Sequence, residues 1–232
     1  MPSLREEIIG DCRLILGDCR EVLPTLKAGA VVTDPPFSVP VKYHAAKGEY
    51  PRSWGDLLVM EPFFADVLVK IRHSVGDGQV YLSCDGDSYP IFHKCAYPLW
   101  SQAHLLIWYK PSGRRGRGWL HSHELILHLR TASTCYATGF RQDVVGIMPV
   151  RTLNREHPAQ KPGDLVGFIA DAIPALKYPI CDPFMGSGTT GVSCALLGRR
   201  FVGIEVEPRY FNIACRRVEA ATRQADLLRR AA

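Results

Sequence analysis

Nowhere in its 232 residues does the chain carry an uninterrupted apolar run of the ~18 residues that a membrane-spanning helix needs, which argues against a membrane partner. The opening Met1-Pro-Ser-Leu-Arg-Glu-Glu lacks the apolar core of a signal peptide, so a cytoplasmic location is expected. No C-x-x-C pair occurs among the eight cysteines, and the ligand spacing of a zinc site is missing. Cys12, Cys19, Cys84, Cys95, Cys135, Cys181, Cys194 and Cys215 fall mostly in apolar or strand-like surroundings. They read as buried, reduced thiols. There is no internal repeat, and the charge excess is small: +5 permits a polyanionic partner without demanding one. Hydrophobic content of 47% and charged content of 22% are ordinary for a soluble domain, and the length suits one α/β unit over residues 1–232.

The pattern that is present alternates short apolar runs with helical periodicity. Strands are predicted at Cys12–Leu16, Ala30–Thr33, Gln79–Ser83, Ala103–Tyr109, Glu124–Leu129, Tyr178–Asp182 and Phe201–Glu205. Helical segments are predicted at Arg20–Leu26, Leu57–Ile71, Ser88–Ala96, Gly163–Ala172, Thr190–Leu197 and Pro208–Leu228. Such alternation implies an open, mostly parallel sheet covered on both faces. Two long polar stretches interrupt it, 38–55 and an irregular region over 130–156.

Two short segments carry the chemistry. Gly186-Ser-Gly188-Thr-Thr-Gly191 fits G-x-G-x-x-G after a strand and before a helix, where glycines let backbone approach a nucleotide-like ligand. About 20 residues on, the next strand ends in Glu205, placed to accept hydrogen bonds from ribose hydroxyls. Taken alone, this spacing would also fit an NAD-dependent oxidoreductase. Asp182, immediately before the turn, would repel a pyrophosphate and suits the ammonium of S-adenosylmethionine better. A turn or helix-capping carboxylate is the plainer alternative. The other segment is Thr33-Asp34-Pro35-Pro36-Phe37. Consecutive prolines remove two backbone donors and hold the chain extended. The Pro35 carbonyl and the Asp34 carboxylate then offer two acceptors to an exocyclic amine, with Phe37 as a stacking face for adenine or cytosine rotated out of a duplex. A rigid turn with a solvent-facing acid is the alternative for this segment by itself.

At these residues the chain resembles the S-adenosylmethionine-dependent amino DNA methyltransferases that modify adenine N6 or cytosine N4, whose motif has the form (D/N/S)-P-P-(Y/F/W). Further likeness lies in Gly17-Asp18 through Leu26, in Trp108-Tyr-Lys110-Pro, in His157-Pro158-Ala-Gln160-Lys161-Pro162 and in Arg200 through Glu205. The catalytic motif precedes the cofactor motif, the circularly permuted order of the β class. The resemblance implies a Rossmann-like, doubly wound sheet with one antiparallel strand. It implies S-adenosylmethionine held at Asp18, Lys161, Asp182, Phe184, Gly186, Ser187, Gly188, Thr189 and Glu205. It implies methyl transfer to adenine N6 at Asp34, Pro35, Pro36 and Phe37, with cytosine N4 as the nearest rival because Ser commonly replaces the Asp there. Double-stranded DNA is the implied partner, and a homodimer is a further expectation because relatives of this class often pair. Restriction-modification, phage self-marking and regulation stay open as roles, and a catalytically silent DNA-binding module is the remaining alternative.

For target recognition only a short insert over residues 131–156 is available, with the basic loop and the 38–55 stretch beside it, so a short or relaxed sequence specificity is expected. Lys110, Arg114, Arg115 and Arg117 fall in a glycine-rich basic loop over 110–119, expected to follow a phosphate backbone. Arg216, Arg217, Arg223, Arg229 and Arg230 read as a solvated helix face, shared with Glu219 and Asp226. His121-Ser-His123-Glu124 puts two histidines on one strand face without a third ligand, a structural or DNA-facing pair rather than a metal site. Tyr43, Tyr50 and Trp54 are candidates for stacking on bases or for loop packing.

Overall fold

A computed structural model describes residues 5–36, 57–115, 118–134, 141–151 and 160–231. Among them are nine strands: β1 (Arg5–Ile9), β2 (Cys12–Leu16), β3 (Ala30–Thr33), β4 (Gln79–Cys84), β5 (Gln102–Arg115), β6 (Leu120–Arg130), β7 (Val144–Gly146), β8 (Ile180–Asp182) and β9 (Phe201–Glu205). The helices are α1 (Cys19–Val22), continued by a 3-10 turn over Leu23–Thr25, α2 (Leu57–Val75), α3 (Tyr89–Ala96), α4 (Gly163–Ala172), α5 (Thr189–Leu196) and α6 (Pro208–Ala231).

All strands join one sheet in the order β1-β2-β9-β8-β3-β4-β6-β5-β7. The central five, β2, β9, β8, β3 and β4, are mutually parallel. Two strands run against their neighbours. β6 lies between β4 and β5, as the one antiparallel strand of the expected fold. β1 adds a second at the opposite edge, paired with β2. Side-chain alternation divides the core in two. Val31, Val80 and Leu82 join Phe64, Leu68, Ile71 and Phe92 on the α1–α3 side. Ala30, Val32 and Tyr81 join Leu165, Ile169, Phe211 and Val218 on the α4–α6 side. A sheet buried on both faces explains why its central strands read as continuous apolar runs.

Three differences from the sequence reading matter. β1, with three charged or polar-facing positions among its five residues, gives no apolar signal because it is an edge strand and largely exposed. β5 continues to Arg115, beyond a register shift between Tyr109 and Arg114, so residues 110–115 are strand rather than the expected flexible loop. β7 stands in the stretch read as irregular and pairs parallel with β5. Cys12, Cys19, Cys84, Cys181 and Cys194 are buried thiols, with Cys95 and Cys215 half-buried. Burial pushes Cys12 up to about 11 and Cys19 and Cys84 up to about 12, which keeps them protonated and inert. Among the described residues, no helix is long and apolar enough to cross a membrane.

Candidate active site

The chain leaves β3 for β4 on one side, and leaves β8 for β9 on the other. The carboxyl ends of β3 and β8 therefore flank the point where strand order reverses, the usual crevice for ligands in open α/β sheets. Asp34-Pro35-Pro36 follows β3, and the glycine turn follows β8. A buried hydrogen bond joins the two corners: Thr33 Oγ1 donates to Asp182 Oδ1 at 2.7 Å.

Asp182 is only 3% exposed and spends its carboxylate internally. Besides Thr33, the Phe184 amide donates to Oδ1 at 3.1 Å and Thr190 Oγ1 to Oδ2 at 2.6 Å. Burial raises its pKa to about 6, against the opposing pull of Thr190, Thr33 and the Phe184 amide. The acid thus fixes the start of the turn and the first helical turn of α5, the plainer of the two roles weighed from the sequence. Gly186 and Gly188 take φ of +51° and +80°, which L side chains rarely adopt. At Gly188 a Cβ would also stand 2.8 Å from that of Ala214. Arg217, expected on a solvated face, instead reaches under the turn: Nη1 donates to Ser187 O at 2.6 Å and to Ser187 Oγ at 3.0 Å.

Glu205 closes the other rim. Its Oε2 accepts from the Gly186 amide at 2.9 Å and its Oε1 from the Glu207 amide at 2.8 Å. Burial raises its pKa, with the Glu207 and Gly186 amides opposing. Glu205 O in turn accepts from the Gly17 amide at 2.9 Å, which brings Asp18 to the same end of the sheet. Asp18 caps α1 through the Arg20 amide at 2.8 Å. Arg20 lies over the Phe63 ring at 5.5 Å, and Phe63 packs on Phe184 with centroids 6.2 Å apart. The Phe63 and Phe184 rings, the Asp18 and Glu205 carboxylates and the left-handed glycine turn form one rim, whose acceptors suit a nucleoside that carries hydroxyls and a positive charge.

The opposite corner is a run of alternating charges. Asp34 pairs with Lys161, whose Nζ lies 2.8 Å from Oδ1 and 2.7 Å from Oδ2. The same Nζ stands 3.1 Å from Glu124 Oε2. Glu124 Oε1 accepts from Lys110, which also lies 4.6 Å over the Trp108 ring. Trp108 itself is buried, and its Nε1 donates to Ile147 O at 2.8 Å. Burial lifts the Asp34 pKa to about 6; Lys161 opposes the rise and Glu124 adds to it. Lys161, held between two carboxylates, is pushed above its ordinary value although burial works the other way.

Several site expectations meet here and others do not. Asp182, Phe184, Gly186, Ser187, Gly188, Thr189 and Glu205 gather around one turn. Lys161 lies at the acid corner against Asp34. Lys110 is directed inward at Glu124 and is 16% exposed, so it is not presented on an outer basic loop as expected. Arg114 and Arg115 stand on the far end of β5, opposite His121 and Leu120. Phe37, Arg117, His157, Pro158, Tyr43, Tyr50 and Trp54 lie outside the described residues. No group of three or more His, Cys, Asp or Glu suited to a metal occurs among those described. Glu124, Thr33, Thr190 and Arg217 were not singled out by sequence. An acid beside a strand of Leu and Ile was the one usable signal, and it was read only as part of the His-Ser-His-Glu cluster.

Residues 143–216 match a family model described as DNA methylase, N6_N4_Mtase. Over 65 residues the chain is 51% identical to the Type II methyltransferase M2.DpnII of Streptococcus pneumoniae, which is 28% of this chain and 24% of that protein. It is 46% identical over 63 residues to M2.LlaDCHI of Lactococcus lactis subsp. cremoris, 27% of this chain and 23% of that one. The matched stretch thus spans about a quarter of the curated relatives it resembles. The crystal structure of the M1.HpyAVI–SAM complex has the same fold, with a TM-score of 0.67 at 21% identity, covering 89% of this chain and 98% of that one. PvuII DNA methyltransferase (cytosine-N4-specific) superposes with a TM-score of 0.71 at 15% identity, over 94% and 92% of the two chains.

Proposed function

We propose that this member of the N6/N4 DNA methylase family moves a methyl group from S-adenosylmethionine to the N6 amine of an adenine turned out of duplex DNA. The observation that carries this reading is the meeting of Asp34-Pro35-Pro36 with the glycine turn at one strand-order reversal, tied by the Thr33–Asp182 hydrogen bond. S-adenosylmethionine supplies a methyl group on a sulfonium, already a strong electrophile. The left-handed turn over Gly186–Gly188, Phe184 and Glu205 are suited to hold it, with Asp18 at the outer edge.

The chain's own work is on the amine. An aromatic amine is a weak nucleophile because its lone pair is delocalised into the ring. Asp34 and the Pro35 carbonyl accept its two hydrogens, which favours a pyramidal nitrogen and stabilises positive charge as it develops there. Pro35 and Pro36 add no backbone donor that could compete for those acceptors. Once the nitrogen has gained the methyl group it carries a positive charge and two acidic protons, and Asp34 is placed to take one of them, leaving the neutral N-methyl amine. The fixed positions of both corners on adjacent parallel strands provide alignment. Arg114 and Arg115, the last two residues of β5, and Arg117, two positions on in the sequence, are assigned to the phosphate backbone.

The test is mass spectrometry of nucleosides from DNA incubated with the protein and S-adenosylmethionine. N6-methyladenine is expected. N4-methylcytosine would transfer the same mechanism to the other base, and absence of either product would defeat the reading. A second expectation concerns pH. Asp34 must be ionised to act as an acceptor, and its carboxyl titrates at about 6. Single-turnover transfer is therefore expected to fall on an acidic limb near pH 6 while circular dichroism shows the fold intact. A rate flat from pH 7.5 to 5 would remove Asp34 from the step.

A further inference from the structure

Lys161 poses a problem for that reading. Its ammonium sits on both oxygens of the carboxylate that must accept a substrate amine. While it stays there, much of the acceptor capacity of Asp34 is already used. If it simply left, a buried cation would lose the closest of its carboxylate contacts. The structure holds a second acceptor within reach. Glu124 Oε2 is buried and already stands 3.1 Å from Lys161 Nζ, an ion pair longer than either contact of that ammonium with Asp34. The other oxygen, Oε1, is engaged by Lys110, which lies against the Trp108 ring. Glu124 is thus anchored on one side by Lys110 and more loosely paired with Lys161 on the other. Its position is fixed by β6, where it pairs with Trp108 of β5.

We propose that Lys161 is a latch between two carboxylates: it leans on Asp34 in the empty enzyme, with Glu124 Oε2 as its longer contact, and shifts fully onto Glu124 Oε2 when a substrate amine takes Asp34. Glu124 is then a positioning residue, acting on the reaction only through Lys161. This inference rests on the methyl-transfer reading for its purpose, though not for its geometry. The charged and titratable groups that face the latch are Asp34 from the end of β3, Glu124 from β6, Lys110 from β5, Cys84 from β4 and, across the β3–β8 junction, Asp182. Cys84 is held protonated by burial and does not compete for the ammonium.

Two measurements on the full chain decide it. The first is a carbon-13 NMR titration of the Asp34 carboxyl, assigned by its loss in Asp34→Asn. The second is kcat at pH 7.5 beside the Kd for S-adenosylmethionine. In Glu124→Gln the second negative charge is gone and one acceptor oxygen is left for two ammonium groups, so Lys161 settles on Asp34. The Asp34 midpoint is expected to fall, kcat to drop about tenfold, and the Kd to hold. Removing a nearby negative charge would also lower the midpoint, but it would leave more Asp34 ionised and would not slow transfer. An unchanged kcat therefore overturns the latch. So does a midpoint that rises, the result if Glu124 merely braces Lys161 against Asp34. Glu124→Asp keeps an acceptor on the same backbone and is expected to recover most of the rate. Failure to recover, with the fold intact, counts against the proposal. The titration needs no turnover, so a protein that transfers no methyl group would defeat the function proposed above, while a midpoint that rises would still overturn the latch by itself.

Discussion

Replacing Asp34 with alanine is expected to lower methyl transfer about 10²- to 10³-fold while leaving affinity for S-adenosylmethionine nearly unchanged. The magnitude is that of removing one well-placed acceptor from a site with little water. The separation between transfer and binding follows from the architecture. Asp34 belongs to the corner after β3, whereas Phe184, Gly186, Gly188 and Glu205 belong to the turn after β8 and the end of β9. The side-chain link between the two corners runs through Thr33 and Asp182, neither of which the substitution removes. One complication has a definite sign. Alanine also strips Lys161 of a partner, leaving Glu124 as its counter-charge. Part of any loss in thermal stability will reflect that cation, not the missing acceptor. Asparagine keeps one oxygen in place and should retain more activity than alanine. Isothermal titration with S-adenosylmethionine and single-turnover transfer on the same preparations separate these effects. An alanine variant that transfers at the normal rate would end the assignment of Asp34 to the chemistry.

The elements that frame this site were legible because each was locally consistent. The runs at Ala30–Thr33 and Phe201–Glu205 are apolar along their length, as strands buried on both faces must be, and they fold as read. Gly163–Ala172 likewise folds as the helix its periodicity implies. What was not legible came from long-range partners. β1 is an edge strand that buries little, so its Arg-Glu-Glu start carries no strand pattern. The end of β5 is rich in Lys, Arg, Gly and Pro and reads as loop, yet it is held as strand by pairing with His121 and Leu120 of β6. In the site, residue types pointed to chemistry but not to direction. Lys110 and Arg217 looked like outward charges, because nothing local says that one faces Glu124 and the other the glycine turn. Glu124 is the sharpest case. A single acid beside a run of Leu and Ile matters only once β6 is known to lie next to β4, with Lys161 brought between it and Asp34.

Asp182→Ala is the other substitution from which a large effect is expected, and its signature is the reverse of that at Asp34. Three donors, two hydroxyls and one amide, lose their shared acceptor in a site that is 3% exposed. At about 1 kcal/mol for each bond, and more where a donor is left buried without a partner, the cost should be about 2–4 kcal/mol. The start of the glycine turn and of α5 loses its anchor, so S-adenosylmethionine affinity should fall along with stability. The isosteric Asp182→Asn carries a cleaner prediction about pH. Burial puts the folded pKa near 6, above the ordinary carboxylate range, so the folded state binds the proton more tightly. The corresponding contribution to stability is fully present below the unfolded pKa and is lost as pH rises through about 6. Denaturant melts of the wild type minus those of Asp182→Asn should therefore show a difference that declines between pH 4 and pH 6 and is level above 7. A difference that grows across that window would mean the ionised carboxylate is the better-held form, with the three hydrogen bonds outweighing burial.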